Sequence, residues 1–193
     1  QTLVGDALEL GRSREGIVNF SNSKISDVVR ETLVEVFDLT DDQTADNIKK
    51  CNRYQELRQI LDQKGLGLLI DESLWCQEVC LDEVKMSQIL RNLLGNALKY
   101  RKKRVELRIE ITDISLVLSV KDDGDGIPSA YHKKIFDCYF QMDAVDECPV
   151  RGHGLGLAGV MVLVEDLGGK LFLDSDKGQG ARFLVKLPLK RNQ

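Results

Sequence analysis

The 193-residue chain has no apolar run approaching the roughly 18 to 20 residues of a membrane-spanning helix. No charged head leads into an apolar stretch at its start, so no targeting segment is read. It opens on Gln1 and not on methionine, which predicts a fragment with room for a membrane anchor upstream. Neither sign of charge dominates. Lys and Arg number 27 against 31 Asp and Glu, a net charge of −4 with both signs interleaved, which excludes the kind of field that recruits nucleic acid. Five cysteines are an odd number with no CxxC pair, so neither a disulfide framework nor a zinc site is supported, and a reducing, cytoplasmic setting is expected. Cys76 and Cys80, four apart, would share a helix face, but no ligand set accompanies them. Histidine is scarce, with two residues, His132 and His153.

What is present is a chain 42% hydrophobic and 30% charged, enough to bury a core of one ordinary domain plus an appendage. "LVGDALELGRSREG" (3–16) reads as the end of a helix closed by glycine, and "SDVVRETLVEVF" (26–37) has the serine start and apolar spacing of a second. Loosely helical spacing of Ile48, Cys51, Leu57 and Ile60 or Leu61 predicts one helix over 47–63. "GLGLLID" and "SLWCQEVC" read as two short strands. In "DEVKMSQILRNLLGNALKYR", Met86, Ile89, Leu90, Leu93, Leu94, Ala97 and Leu98 recur three and four apart, which predicts a long helix with one buried face. Residues 105–112 and 115–123 alternate with period two around a tight connection and predict an antiparallel hairpin. "GDGIPSAYHKKIFDCYF" turns into a short helix. "LAGVMVLVEDLGG" is a helix ended by a double glycine, and "KLFLDSD" and "ARFLVKLPL" form a last hairpin around "KGQG". A helical layer on an antiparallel or mixed sheet follows, an α+β fold.

Polar residues within the long helix carry the first chemical information. At 3.6 residues per turn Asn92, Asn96, Lys99 and Tyr100 lie within roughly 100 degrees of one another, beside the apolar face. Alone, that stripe reads best as rim amides with an aromatic at the core edge. The basic run 99–104 reads as solvated surface or as a phosphate-facing patch, with the solvated reading favoured for 101–104.

"DDGDGIP" places Asp122 at a strand end and Gly124, Gly126 and Ile127 in the turn after it. A carboxylate there can accept from an exocyclic amine while glycines admit a flat ring, although an Asp-Gly loop is the plainer reading. "RGHGLGL" contributes Arg151, Gly152, His153, Gly154, Leu155, Gly156 and Leu157 just before an apolar helix. Unpaired amides at that helix start, at the positive end of its dipole, suit a phosphate. By itself GxGxG is a weak signal, and it matches neither the Walker pattern nor the Rossmann fingerprint.

Order and combination decide more than any one piece. "NLLGNALKY", "DDGDGIP", "IFDCYF", "GHGLGL" and "GQGARF" resemble, in sequence and spacing, the N, G1, F, G2 and G3 boxes of sensor histidine kinases within the wider GHKL ATPases, over 81–188. The resemblance implies a two-layer α/β sandwich of the GHKL (Bergerat) type with a mixed sheet. Residues 1–18 become the end of a dimerization and phosphoacceptor helix, and 19–193 the catalytic and ATP-binding domain.

It also implies that Asn96 holds Mg2+ against the triphosphate of ATP, with Asn92 beside it. Lys99 would contact phosphate, Tyr100 pack on the adenine and Asp122 accept from its amine, with Gly124 and Gly126 making room. Gly152, Gly154 and Gly156 would let lid and helix amides reach the phosphates, with Arg151 as a further phosphate contact, and Phe136 and Phe140 would pack under the lid. Ala181 stands where the family usually has threonine, and 38–64 is longer than the usual link.

Neither histidine lies in a dimerization helix beside an acid, so both read as surface residues. The phosphorylated histidine is expected upstream of Gln1, in a protein that is a homodimer at full length and passes its phosphate to a response regulator aspartate. A GHKL nucleotide-binding module without phosphotransfer is the alternative.

Overall fold

The computed structural model describes residues 17–51, 53–112, 114–138, 140 and 156–189. In chain order these form β1 (Ser21–Lys24), α1 (Ile25–Asp38), α2 (Asp42–Lys50), α3 (Tyr54–Gln63), β2 (Leu66–Ile70), α4 (Glu72–Trp75) and β3 (Glu78–Leu81). There follow α5 (Glu83–Tyr100), β4 (Val105–Thr112), β5 (Ser115–Asp122), two 3-10 turns, α6 (Gly156–Asp166), β6 (Lys170–Ser175) and β7 (Ala181–Pro188).

Five strands make one mixed sheet in the order β2-β4-β5-β7-β6, parallel between β2 and β4 and antiparallel elsewhere. Period-two alternation sorts its faces: Leu107, Ile109, Leu118, Val120, Phe183 and Val185 are buried, whereas Arg108, Glu110, Lys121, Arg182 and Lys186 are exposed. Helix α5 lies on the apolar face and packs against α1 and α6. Its buried residues Met86, Ile89, Leu90, Leu93, Leu94 and Ala97 are the ones its spacing picks out. Asp82 caps it, with Oδ1 accepting from Lys85 N at 3.0 Å, while Oδ2 accepts from Asn19 N at 2.8 Å and fixes the chain entering β1. The expected α+β architecture with a mixed sheet and helical layer is therefore observed.

Four local expectations are corrected. The single helix over 47–63 is two, because Cys51 is extended (ψ 131°) and α3 starts afresh after Arg53. Ile48 and Leu57 are nine residues apart, on opposite faces of a continuous helix, and only a break lets both be buried as they are. "SLWCQEVC" is not a strand throughout: Asp71 accepts from Ser73 N at 2.8 Å and caps α4, so that Leu74 and Trp75 are both buried where alternation would separate them. Cys76 thus follows a helix and Cys80 lies in a strand, so they share no helix face. After β5 the expected short helix is two 3-10 turns, Ser129–Tyr131 and Lys134–Phe136. β1 was not foreseen, since "SNSK" carries no apolar alternation; its pairing with β3, Ser21 opposite Leu81, makes it a strand. The helix expected over 3–16 lies outside the described residues.

Candidate functional site

Asp122 is the last residue of β5, opposite Val105 and on the core-facing side of the sheet. It is 7% exposed, an unusual place for a carboxylate. Oδ1 accepts from Gly124 N at 2.8 Å and from Ala181 N at 3.3 Å. Oδ2 accepts from no described residue, so one acceptor of a nearly buried carboxylate is left for something else. Burial pushes its carboxyl above the usual range, with the Gly124 and Ala181 amides acting in the opposite direction.

The loop after Asp122 and the β6–β7 turn interlock. A Cβ at Gly124 would overlap the Tyr100 carbonyl, and one at Gly126 (φ +71°) would overlap the Asp176 carbonyl. At both positions a side chain would have to displace backbone, which is why only glycine fits there. Ile127 N donates to Ser175 Oγ at 2.8 Å, and the Ser175 hydroxyl donates to Gly180 O at 2.7 Å. His132, expected at the surface, is half-buried with Nε2 2.9 Å from Ile127 O. Ala181 has no side-chain hydrogen bond to offer, and it is its backbone amide that reaches Asp122.

On α5, Asn92, Asn96 and Lys99 are half-buried along the rim of the apolar face, and Tyr100 is 58% exposed with Lys99 Nζ 5.0 Å from its ring centroid. The start of α6 reaches this rim, since a Cβ at Gly156 would stand 3.5 Å from Asn92 Oδ1. Leu157 packs partly buried against the core. Helix α6 is tied to α5 at its other end, where Lys85 Nζ meets Asp166 Oδ2 at 2.6 Å with both side chains largely covered. Arg151, Gly152, His153, Gly154 and Leu155 lie outside the described residues. Phe136 faces the ring of Phe183 edge-on at 6.5 Å, and Phe140 lies 5.9 Å from Tyr131.

The basic run does not face this site as a cluster. Asp123 accepts from the amides of Lys102, Lys103 and Arg104 at 2.9 to 3.0 Å, and those of Lys103 and Arg104 above all hold its carboxyl below the usual range. Lys102 pairs with Asp125 at 2.6 Å, and Arg101 donates to Lys64 O at 2.7 Å. Two residues escaped the sequence reading. Lys85 stands four before Ile89, in phase with the apolar face, and Ser175 continues the inward-facing series Leu171 and Leu173; a polar residue at such a position was the available signal.

The family described as histidine kinase-, DNA gyrase B-, and HSP90-like ATPase matches residues 81–191, more than half of the chain. The chain belongs to this ATPase family. Among curated relatives, the sensor histidine kinase WalK of Bacillus subtilis is 29% identical over 197 residues, covering 99% of this chain and 29% of WalK. The autoinducer 2 sensor kinase/phosphatase LuxQ of Vibrio cholerae is 36% identical over 138 residues, covering 68% of this chain and 16% of LuxQ. The chain thus spans less than a third of these relatives. In solved structures of this ATPase fold, full-length ShkA in complex with AMPPNP superposes with a TM-score of 0.70 at 24% identity, over 98% of this chain and 36% of ShkA. The Acinetobacter baumannii histidine kinase AdeS gives 0.67 at 21% identity, over 98% of this chain and 78% of AdeS.

Proposed function

We propose that the chain is the ATP-binding catalytic domain of a two-component sensor histidine kinase. The observation that carries this is the nearly buried Asp122, with Oδ1 held by two amides and Oδ2 unspent, on a family member whose relatives are sensor kinases. Oδ2 accepts from the exocyclic amine of adenine. Tyr100, exposed and with its carbonyl close against Gly124, covers the ring. Asn92, Asn96 and Lys99 line the way to the start of α6, where Gly156, Leu157 and the 151–155 segment supply amides and the Arg151 cation to the phosphates.

Mg2+ held at Asn96 would neutralise triphosphate charge. The domain's own share of catalysis is positioning: the bond between the γ-phosphorus and its bridging oxygen breaks as a histidine imidazole nitrogen outside residues 1–193 forms the new bond. A response regulator aspartate then receives the phosphoryl group. We place 1–18 at the end of the dimerization helix of a homodimer and the domain on the cytoplasmic side. Among the described residues no helix is long and apolar enough to cross a membrane.

Calorimetric titration with ATP, with and without Mg2+, tests the site. Binding is expected to weaken at least tenfold in excess chelator, and equal affinity would remove the metal role of Asn96. Transfer of labelled γ-phosphate is then followed in a longer form of the protein that contains the upstream histidine. Tight binding without transfer there would leave the non-catalytic module as the better reading.

A further inference from the structure

The Ser175 hydroxyl touches both segments that hold Asp122. It accepts from Ile127 N at 2.8 Å, on the loop whose Gly124 amide donates to Asp122 Oδ1. It donates to Gly180 O at 2.7 Å, and the amide that shares a peptide group with this carbonyl is Ala181 N, the second donor to Oδ1. A peptide group is planar, with its carbonyl and N–H pointing opposite ways when trans. The Gly180–Ala181 unit is therefore clamped at both ends, its oxygen by Ser175 and its N–H by Asp122. Rotating it would break both bonds at once. Gly180 (φ +75°) carries no Cβ to interfere; one there would overlap the Asp122 carbonyl. On the outer side His132 Nε2, 2.9 Å from Ile127 O, holds the loop against the same hydroxyl.

We infer that Ser175 is a positioning residue for the Asp122 carboxylate: through one rigid peptide and one loop amide it fixes the rotation that leaves Oδ2 free for the base. The inference rests on the nucleotide reading above. Without the hydroxyl the Gly180 carbonyl loses its donor and Ile127 N its acceptor, and Asp122 is held by donors whose own anchor is gone. The loss should fall on the base end of the pocket and spare the phosphate end.

The test is calorimetric titration of the 193-residue chain with ATP, adenosine and inorganic tripolyphosphate, using Ser175→Ala, Ser175→Thr and Asp122→Asn. Ser175→Ala is expected to weaken ATP and adenosine about tenfold while tripolyphosphate stays within about twofold. Ser175→Thr, which keeps the hydroxyl, is expected to restore both. Parent-like adenosine binding by Ser175→Ala beside weak binding by Asp122→Asn overturns the positioning role and leaves the nucleotide reading standing. Parent-like ATP binding by Asp122→Asn sinks that reading itself. An equal loss for all three ligands also overturns the inference, because general loosening does not choose one end of the pocket. Should Ser175→Ala not fold, His132→Leu carries the test: about threefold weaker adenosine binding with tripolyphosphate unchanged supports the brace, and no change for either overturns it.

Discussion

Replacing Asp122 by asparagine separates what the carboxylate does for the fold from what it does for a base. An asparagine turned with its oxygen inward still accepts from Gly124 N and Ala181 N, the bonds now made at 2.8 and 3.3 Å. Its Nδ2 then stands where Oδ2 stood and presents a donor to the donor of an adenine amine. A lost bond and a mispaired donor in a desolvated pocket cost roughly 1 to 3 kcal/mol, or about 5- to 150-fold in Kd.

For the protein without nucleotide the sign is opposite. Burial raises the Asp122 carboxyl above its usual 3.8 against the pull of the two amides, so the ionised form is the less welcome one in the folded state. A folded value above the unfolded one means that this group's stabilisation is fully present below pH 3.8 and is lost as pH rises through the raised value. Asparagine has no charge to lose it through. Asp122→Asn is therefore expected to melt at or above the parent temperature at pH 7, with the gap closing as pH falls toward 4, while binding ATP more weakly. Calorimetry at pH 7 beside thermal melts across pH 4.5 to 8 reads both. A folded variant that binds ATP within twofold of the parent refutes the base contact, and a gap that widens on acidification refutes the burial argument.

Lys85→Met removes the cation from a largely covered pair and leaves Asp166 without its lysine, so urea unfolding should show a loss of about 3 kcal/mol, mostly recovered in Lys85→Met/Asp166→Leu. Gly126→Ala and Gly178→Ala both place a side chain at positive φ, but only Gly126 has a carbonyl, that of Asp176, in the way. Thermal melts should show Gly178→Ala costing about 1 to 2 kcal/mol and Gly126→Ala clearly more; equal losses would mean that the interlocked loop and turn do not constrain each other.

What could be read in advance was local and periodic. Helix α5 and the β4–β5 and β6–β7 hairpins announce themselves because burial on one face forces a period of 3.6 or 2 on the side chains. Asp122 and the glycine-bearing turns were legible from order along the chain. What stayed hidden depends on partners far away in sequence: β1 needs β3, Lys85 needs a residue 81 positions on, and the hydroxyl of Ser175 bonds to an amide 48 positions back. None of these leaves a local period.

The helices of the 38–64 segment show the same rule at a larger scale. Helix α2 is capped by Asp41, which accepts from Thr44 N at 3.1 Å and pairs with Lys64 at 2.8 Å, and it lies against α1 with Ala45 and Ile48 fully buried. Helix α3 packs on β2, where Tyr54 Oη donates to Ile70 O at 2.8 Å and accepts from Ile70 N at 3.1 Å. β2 is the edge of the sheet opposite β6. The Cys51 thiol between the two helices is raised by burial, which keeps it protonated and makes it a packing group and not a nucleophile. The 38–64 segment is thus absorbed into the core at the β2 edge. The segments that hold Asp122, the loop after β5 and the β6–β7 turn, bond directly to one another, through the Ser175 hydroxyl and through Gly178 N, which donates to Asp125 O at 2.6 Å.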